Sequence, residues 1–422
     1  MAEKFIIHGQ KKLTGQVDIS GSKNAAGAIL SATLSTEEEC TIDNLPLVED
    51  VLNLLKILEK MGTKISWQTD RMIKIRSGPD VNPDKIDPEL VSRSRIPVLL
   101  IGSLLSRFPS FKIPQPGGDR IGLRPISTHL AALEKMGIEI SQEGSFYHIR
   151  KKGHLSGSEI ILQEFSVTAT ENLMMVAVTA EGETIIKGAA AEPQVQDLGK
   201  LLINMGAKIE GLGTHTLFIE GGQKLRGASH KIIPDLLEAG TFLVAGAISQ
   251  GEVEVRGVIP SHLDIFLAKL EEMGLNFEKN QDSIRVNSTP ALKSVKIQAL
   301  PYPGFPTDLL PVVVPLLTQA QGKSLVHDPL YESRFNYIQE LRKMGADIEV
   351  VDPHRAFVFG KSSLSGLRIE SWDIRAGASL IIAGLVAKGE TTIENIYQID
   401  RGYERIEEKF KKLGADIRRV SV

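Results

Sequence analysis

Six stretches of the chain end alike: LEKMGTKI (58–65), LEKMGIEI (133–140), INMGAKI (203–209), LEEMGLNF (270–277), LRKMGADI (341–348) and FKKLGADI (410–417). Their glycines, Gly62, Gly137, Gly206, Gly274, Gly345 and Gly414, recur at nearly even spacing along the whole chain. A period of about 70 residues repeated six times means one supersecondary unit stacked on copies of itself. The fold must therefore be six similar units, not an arbitrary set of elements.

One unit can be read from its pattern. In VEDVLNLLKILEKMG, apolar Val51, Leu54, Leu55, Leu58 and Met61 recur at helical spacing, so one face is buried. Gly62 supplies the left-handed residue that closes a helix. The following TKISWQ and MIKIRS read as short strands. Each unit also holds a second helix: SKNAAGAILSATL, SRIPVLLIGSLLSRF, TENLMMVAVTAEG, EAGTFLVAGAISQG, DLLPVVVPLLTQAQG and RAGASLIIAGLVAKG. These are apolar nearly all round and belong inside a domain. Pro97, Pro311 and Pro315 weaken the helix locally, although proline is tolerated in a first turn. Six units divide into two three-unit domains, each with three buried helices at its centre and a boundary near EGGQKLRGASHK (220–231). A single continuous six-unit array is the alternative.

Composition excludes several classes. A formal net charge of -3 offers no broad basic field for nucleic acid. No apolar run approaches the roughly 20 residues of a membrane span, and MAEKFIIHGQ lacks a signal peptide's apolar core. A cytoplasmic protein is expected. Cys40, the single cysteine, rules out an intrachain disulfide and a cysteine-rich metal site, and reads as a small core residue.

Function should lie where polar residues interrupt the repeat. The internal helices start near Lys23 and Asn24, Arg95, Glu171 and Asn172, Asp235 and Glu238, Asp308, and Asp373 with Arg375. The loops before the amphipathic helices are PGGDRIGLRP, AAAEPQVQD, DPLYESRF and YQIDRGYERI. Helix starts present free N–H groups that suit phosphate or carboxylate. Lys23 heads a helix of small apolar residues, with little solvated surface to occupy. Arg124, Arg334, Arg375 and Arg401 sit at comparable places in different units. Each alone is more often a surface ion pair, but several converging would grip a multiply charged anion. Asp308, in YPGFPTDLLP, is either a helix cap or a base for an alcohol. In PGGDRIGLRP, Asp119 is a structural partner for arginine, a bystander at an anion site, or a catalytic acid.

GSKNAA, PGG-x-x-IG-x-RP, FPTD, DIRAGASL and IDRGYERIE, in this order on this repeat, resemble the UDP-N-acetylglucosamine 1-carboxyvinyltransferase family over essentially the whole chain. The resemblance implies an inside-out α/β barrel of the enolpyruvyl transferase type. Residues 21–229 would form the N-terminal three-repeat domain carrying the PGGDRIGLRP loop. Residues 1–20 and 230–422 would form the C-terminal one, with the active site in the cleft between them. It implies transfer of enolpyruvyl from phosphoenolpyruvate to the 3-hydroxyl of UDP-N-acetylglucosamine with release of phosphate, the first committed step toward peptidoglycan precursors. Neither metal nor organic cofactor is implied, and a monomer is expected.

Residue by residue, the resemblance assigns catalysis to Lys23, Asp119, Asp308 and Asp373. It assigns phosphoenolpyruvate to Lys23, Asn24, Arg124, Arg375 and Arg401. It assigns the UDP-sugar to Asn24, Arg95, Arg124, Ser127, Ser166, Asp308 and Arg334. The chemistry agrees: adding an alcohol to an enol ether needs a proton delivered to the methylene and another removed from the nucleophile. The tetrahedral intermediate carries phosphate and carboxylate, so clustered cations stabilise it.

The chain departs from the family at three points. Asp119 stands where most members have cysteine. Protonating an ordinary aspartate at pH 7 costs about 4 kcal/mol, so the rate should fall toward high pH earlier than in a cysteine form. The substitution also removes the thiolate that fosfomycin alkylates. Ser127 stands for an aspartate and Glu164 for a lysine, both by the uridine nucleotide. A changed UDP-sugar acceptor, or a catalytically silent binding paralogue, are the competing readings.

Overall fold

The computed structural model describes residues 3–119, 121–122, 126–289 and 291–421. Each repeat closes its amphipathic helix as its sequence demands. The six helices are Glu49–Met61, Ser127–Lys135, Pro193–Asn204, Asp264–Glu272, Ile338–Lys343 and Ile406–Lys412. Each is followed within two residues by its repeat glycine, whose φ lies between 85° and 109°. A side chain is strained there, which is why glycine recurs. In the first helix Val51, Leu54, Leu55, Leu58 and Met61 are all buried.

Six sheets form among the described residues, one per repeat; five have four strands and one has three. In each four-stranded sheet an edge strand enters parallel and the rest run antiparallel. In Glu183–Lys187, Ile186 faces the core opposite Ile160 and Leu217 of its neighbours, while Lys187 faces out. The three-stranded sheet, Ser110–Pro114 with Phe146–Lys151 and Ile138–Glu143, belongs to the repeat that carries the PGGDRIGLRP loop.

Contacts divide the chain into two compact units. The N-terminal unit holds residues 21–118 and the described part of 124–233; the C-terminal unit holds the described parts of 1–20, 119–123 and 234–422. The chain's start joins the C-terminal unit because Glu3–His8 pairs with both Glu390–Glu394 and Asp416–Ser421, and Thr14–Asp18 with Glu252–Arg256. The division falls at Ile233–Pro234, slightly past the repeat-based boundary, because Ser229–Lys231 runs parallel to Glu39–Asp43.

Each unit buries its own apolar core around the internal helices. These are Lys23–Ala32, Leu100–Arg107 and Val167–Ala177 in the N-terminal unit, and Leu236–Ile248, Leu310–Leu317 and Ile374–Val386 in the C-terminal unit. The prolines have local effects. Ile96–Leu99, which holds Pro97, and Thr307–Leu309, which follows Pro306, are single 3-10 turns ahead of the helices at Leu100 and Leu310, places where the missing proline N–H has no helical partner to lose. Asn172 explains part of TEN: its side chain accepts from Gly102 N at 2.6 Å and donates to Val98 O at 3.2 Å, stapling two internal helices. Cys40 is fully buried, and burial raises its thiol pKa, as befits a core residue.

Candidate active site

In the N-terminal unit the functional side chains sit at helix starts. Ser22 caps the helix Lys23–Ala32 by accepting from Ala25 N at 3.3 Å. The Lys23 side chain is only 10% exposed, and its Nζ lies 2.8 Å from Oδ2 of Asp50, which is itself buried. Asp50 is in the first turn of the helix Glu49–Met61, where the dipole favours an acid. Sequence reasoning passed over Asp50, because VED reads as an ordinary acidic helix start. Asn24 follows Lys23 and is half-buried.

A second group joins two other helix starts of this unit. Ser166 caps Val167–Ala177 by accepting from Ala169 N at 3.3 Å. Ser127 is exposed at the head of Ser127–Lys135, and its neighbour Thr128 donates to Glu164 Oε1 at 2.7 Å. Glu164 is therefore held by a hydroxyl. His129 binds Thr168 Oγ1 at 2.7 Å, and burial followed by the nearby Arg95 charge pushes its pKa down to about 3. His129, held by Thr168 and near the charge of Arg95, is a neutral histidine that sequence reasoning missed. A lone His in STHLAALEK carries no signal of its own.

The C-terminal unit holds the denser cluster. Asp308 sits in the turn Thr307–Leu309, where Oδ1 accepts from Arg334 and Oδ2 from Arg375 Nε at 3.2 Å. Both guanidiniums are nearly fully buried. Burial works against their charge, but around Arg334 the carboxylates Asp308, Asp373 and Asp328 outweigh it, as do Tyr403, Asp308 and Asp235 around Arg375. Both arginines therefore stay charged. Arg375 also lies 5.1 Å from the centre of the Tyr403 ring, and the Tyr403 hydroxyl bonds Thr241 at 2.8 Å. Among the described residues, Arg334 Nε and Arg375 Nη1 make no hydrogen bond.

Asp373 caps Ile374–Val386 by accepting from Arg375 N and Ala376 N, each at 2.8 Å, and takes a long bond of 3.4 Å from Asn336. Burial raises its carboxyl; Arg334 pulls it back and the charge of Asp119 pushes it up again. Asp119 meets Arg401: Nη1 donates to its Oδ1 at 2.5 Å and to Gln398 Oε1 at 2.8 Å. The loop beyond Asp119 is fastened by Ser333 N donating to Ile121 O at 3.1 Å, and a side chain at Gly122 would strike the Glu332 carboxylate.

The structure thus brings Asp119, Asp308, Arg334, Asp373, Arg375 and Arg401 into one unit, and Lys23, Asn24, Arg95, Ser127 and Ser166 into the other. Arg124 and Arg120 lie outside the described residues. Chemically the C-terminal cluster offers guanidinium donors for an anion, with carboxylates beside them for proton transfer. No group of three or more His, Cys, Asp and Glu among the described residues is arranged to hold a metal, and no described helix is long and apolar enough to cross a membrane.

The family model described as EPSP synthase (3-phosphoshikimate 1-carboxyvinyltransferase) matches residues 7–410. Among solved structures, the enolpyruvyl transferase NikO from Streptomyces tendae superposes with a TM-score of 0.91 at 23% identity, covering 100% of this chain and 99% of that one. EPSP synthase from Acinetobacter baumannii gives 0.74 at 21%, covering 100% of both. These two likenesses establish the fold. UDP-N-acetylglucosamine 1-carboxyvinyltransferase from Koribacter versatilis is 45% identical over 99% of this chain and 96% of its own. Its namesake 1 from Carboxydothermus hydrogenoformans is 43% identical over 99% of both chains. On the fold, the shared motifs and this full-length identity, the chain belongs to the enolpyruvyl transferases, within the UDP-N-acetylglucosamine 1-carboxyvinyltransferase family.

Proposed function

We propose that the chain transfers the enolpyruvyl group of phosphoenolpyruvate to the 3-hydroxyl of UDP-N-acetylglucosamine, releasing phosphate, with the residue roles that follow. It acts in the cytoplasm, as a monomer, at the first committed step of peptidoglycan precursor synthesis. The carrying observation is the Asp308 carboxylate set between the buried Arg334 and Arg375 guanidiniums. Such an arrangement holds an anionic substrate and keeps a base beside it.

In addition, Asp119 delivers a proton to the methylene carbon of phosphoenolpyruvate while the sugar 3-hydroxyl oxygen bonds to its central carbon. Asp308 takes the hydroxyl proton. The product is a tetrahedral intermediate bearing both carboxylate and phosphate. Lys23, Arg124, Arg375 and Arg401 neutralise those charges, which is the largest lever an enzyme has over such a step. In elimination the methyl group returns a proton, the double bond reforms and phosphate leaves. Asp373, whose carboxyl burial raises toward the protonated form, stands by as the second acid. Asn24, Arg95, Ser127, Ser166 and Arg334 hold the UDP-sugar. Glu164 accepts from Thr128, which fixes the direction of its carboxylate but leaves its charge in place, so the acceptor is decided by assay.

Phosphate release with phosphoenolpyruvate and a panel of UDP-sugars tests the assignment. Release with UDP-N-acetylglucosamine is expected, and release only with another UDP-sugar overturns the acceptor. Asp119 and the fully buried Cys40 leave no accessible thiol for fosfomycin. Intact-protein mass spectrometry should show no adduct, and an adduct on Asp119 would refute this.

A further inference from the structure

Asp119 lies in a loop whose glycines set its path. A side chain at Gly117 would strike Ser92 O, and Gly118 has a φ of 132°. The segment leaves Gly118 along a course that side chains disfavour and puts the Asp119 carboxylate against Arg401. The guanidinium side chain is 5% exposed and that of Asp119 17%. The same Arg401 Nη1 also donates to Gln398 Oε1 at 2.8 Å. The contact is thus a charge-assisted hydrogen bond, largely shielded from solvent.

We infer that Asp119 is a built-in competitor for substrate: its carboxylate holds the Arg401 donor that the carboxylate or phosphate of phosphoenolpyruvate must take. The inference rests on the reading of Arg401 as an anion-binding residue. Two observations support an exchange. A carboxylate accepting from a guanidinium N–H, as Asp119 does from Arg401, is the same kind of pair that an anionic substrate makes. The loop is also fastened independently of Asp119, through Ser333 N on Ile121 O, so losing the Arg401 contact need not release the loop. The competitor lowers apparent affinity in proportion to the fraction of molecules in which Arg401 is not held by Asp119.

Calorimetric binding of phosphoenolpyruvate to the native chain, Asp119→Asn, Arg401→Gln and the double variant tests this without requiring turnover. Asp119→Asn should bind about five- to tenfold more tightly. Arg401→Gln should bind more weakly than native, and adding Asp119→Asn to it should change affinity less than about twofold. Equal or weaker binding by Asp119→Asn overturns the inference. Equal tightening with and without Arg401 also overturns it, since that would be long-range charge alone. Native affinity in Arg401→Gln would instead sink the anion-binding reading itself. If thermal melting shows Arg401→Gln unfolded, Arg401→Lys, which keeps the charge but not the fork, takes its place in the same cycle.

Discussion

Three aspartates stand at the starts of the three internal helices of the C-terminal unit, and they do not share one job. Asp235 accepts from Leu237 N at 2.8 Å and Glu238 N at 3.0 Å, and Asp373 makes the matching pair with Arg375 N and Ala376 N. Both are helix caps. Asp308 is not. Pro306 occupies the cap position without a polar side chain, and the helix begins with a 3-10 turn that contains Asp308. Its carboxylate, 31% exposed, turns to Arg334 and Arg375 instead. Thr307 Oγ1 turns away as well, donating to Asp328 at 2.6 Å. A capping carboxylate commits one oxygen to backbone N–H groups. One displaced by a single turn is available for chemistry.

The contrast is easiest to break at Asp308. Asp308→Asn should lower the rate of phosphate release by about 10²- to 10⁴-fold, with a modest change in thermal midpoint. Turnover within tenfold of native would make Asp308 another structural aspartate. Asp235→Ala should do the reverse, costing about 1–2 kcal/mol in denaturant unfolding while turnover per folded molecule stays within about twofold. A large loss of turnover there would erase the distinction.

Asp373 sits between the two cases, since it caps a helix and is also a candidate acid. Its buried carboxyl titrates above the usual 3.8, so as pH rises the unfolded chain ionises first and the native state loses stability. Asp373→Asn can still cap and lacks that penalty. The melting temperature of the variant relative to native should therefore be higher at about pH 6 than at about pH 3.5; an unchanged difference would show the buried charge to be fully compensated.

The helix start at Ser166 is a capped start with a titratable buttress. His129 titrates at 6.5 when unperturbed and near 3 when folded. Below pH 6.5 the unfolded chain binds a proton that the native chain refuses, so stability falls as pH drops from 6.5 toward 3. His129→Gln should flatten that part of the melting-temperature profile. Ser166→Ala should have the smallest effect, about 1 kcal/mol at any pH.

Much of the fold was legible because it repeats. Glycines in the left-handed region and apolar residues at helical spacing are local requirements, so Gly62 and its five counterparts mark every amphipathic helix in the sequence alone. The motifs also point to Lys23, Asp308, Asp373, Arg375 and Arg401. What escaped were partners drawn from elsewhere in the chain. Asp50 belongs to a different helix from the Lys23 it holds, His129 reaches across to Thr168, and Thr241 meets Tyr403 from a distant repeat. No local pattern announces such a pair.

By itself, then, the sequence determined the six-unit architecture, the apolar internal helices and the family, because each follows from short-range periodicity or from contiguous motifs. Only the tertiary structure decided which aspartate caps and which faces arginine, and that Arg401 is held by Asp119. In PGGDRIGLRP the acid could serve as structural partner, bystander or proton donor. Its place against a buried guanidinium from the far end of the chain makes it an arginine partner first, because charge pairing depends on distances in space that the order of residues does not encode.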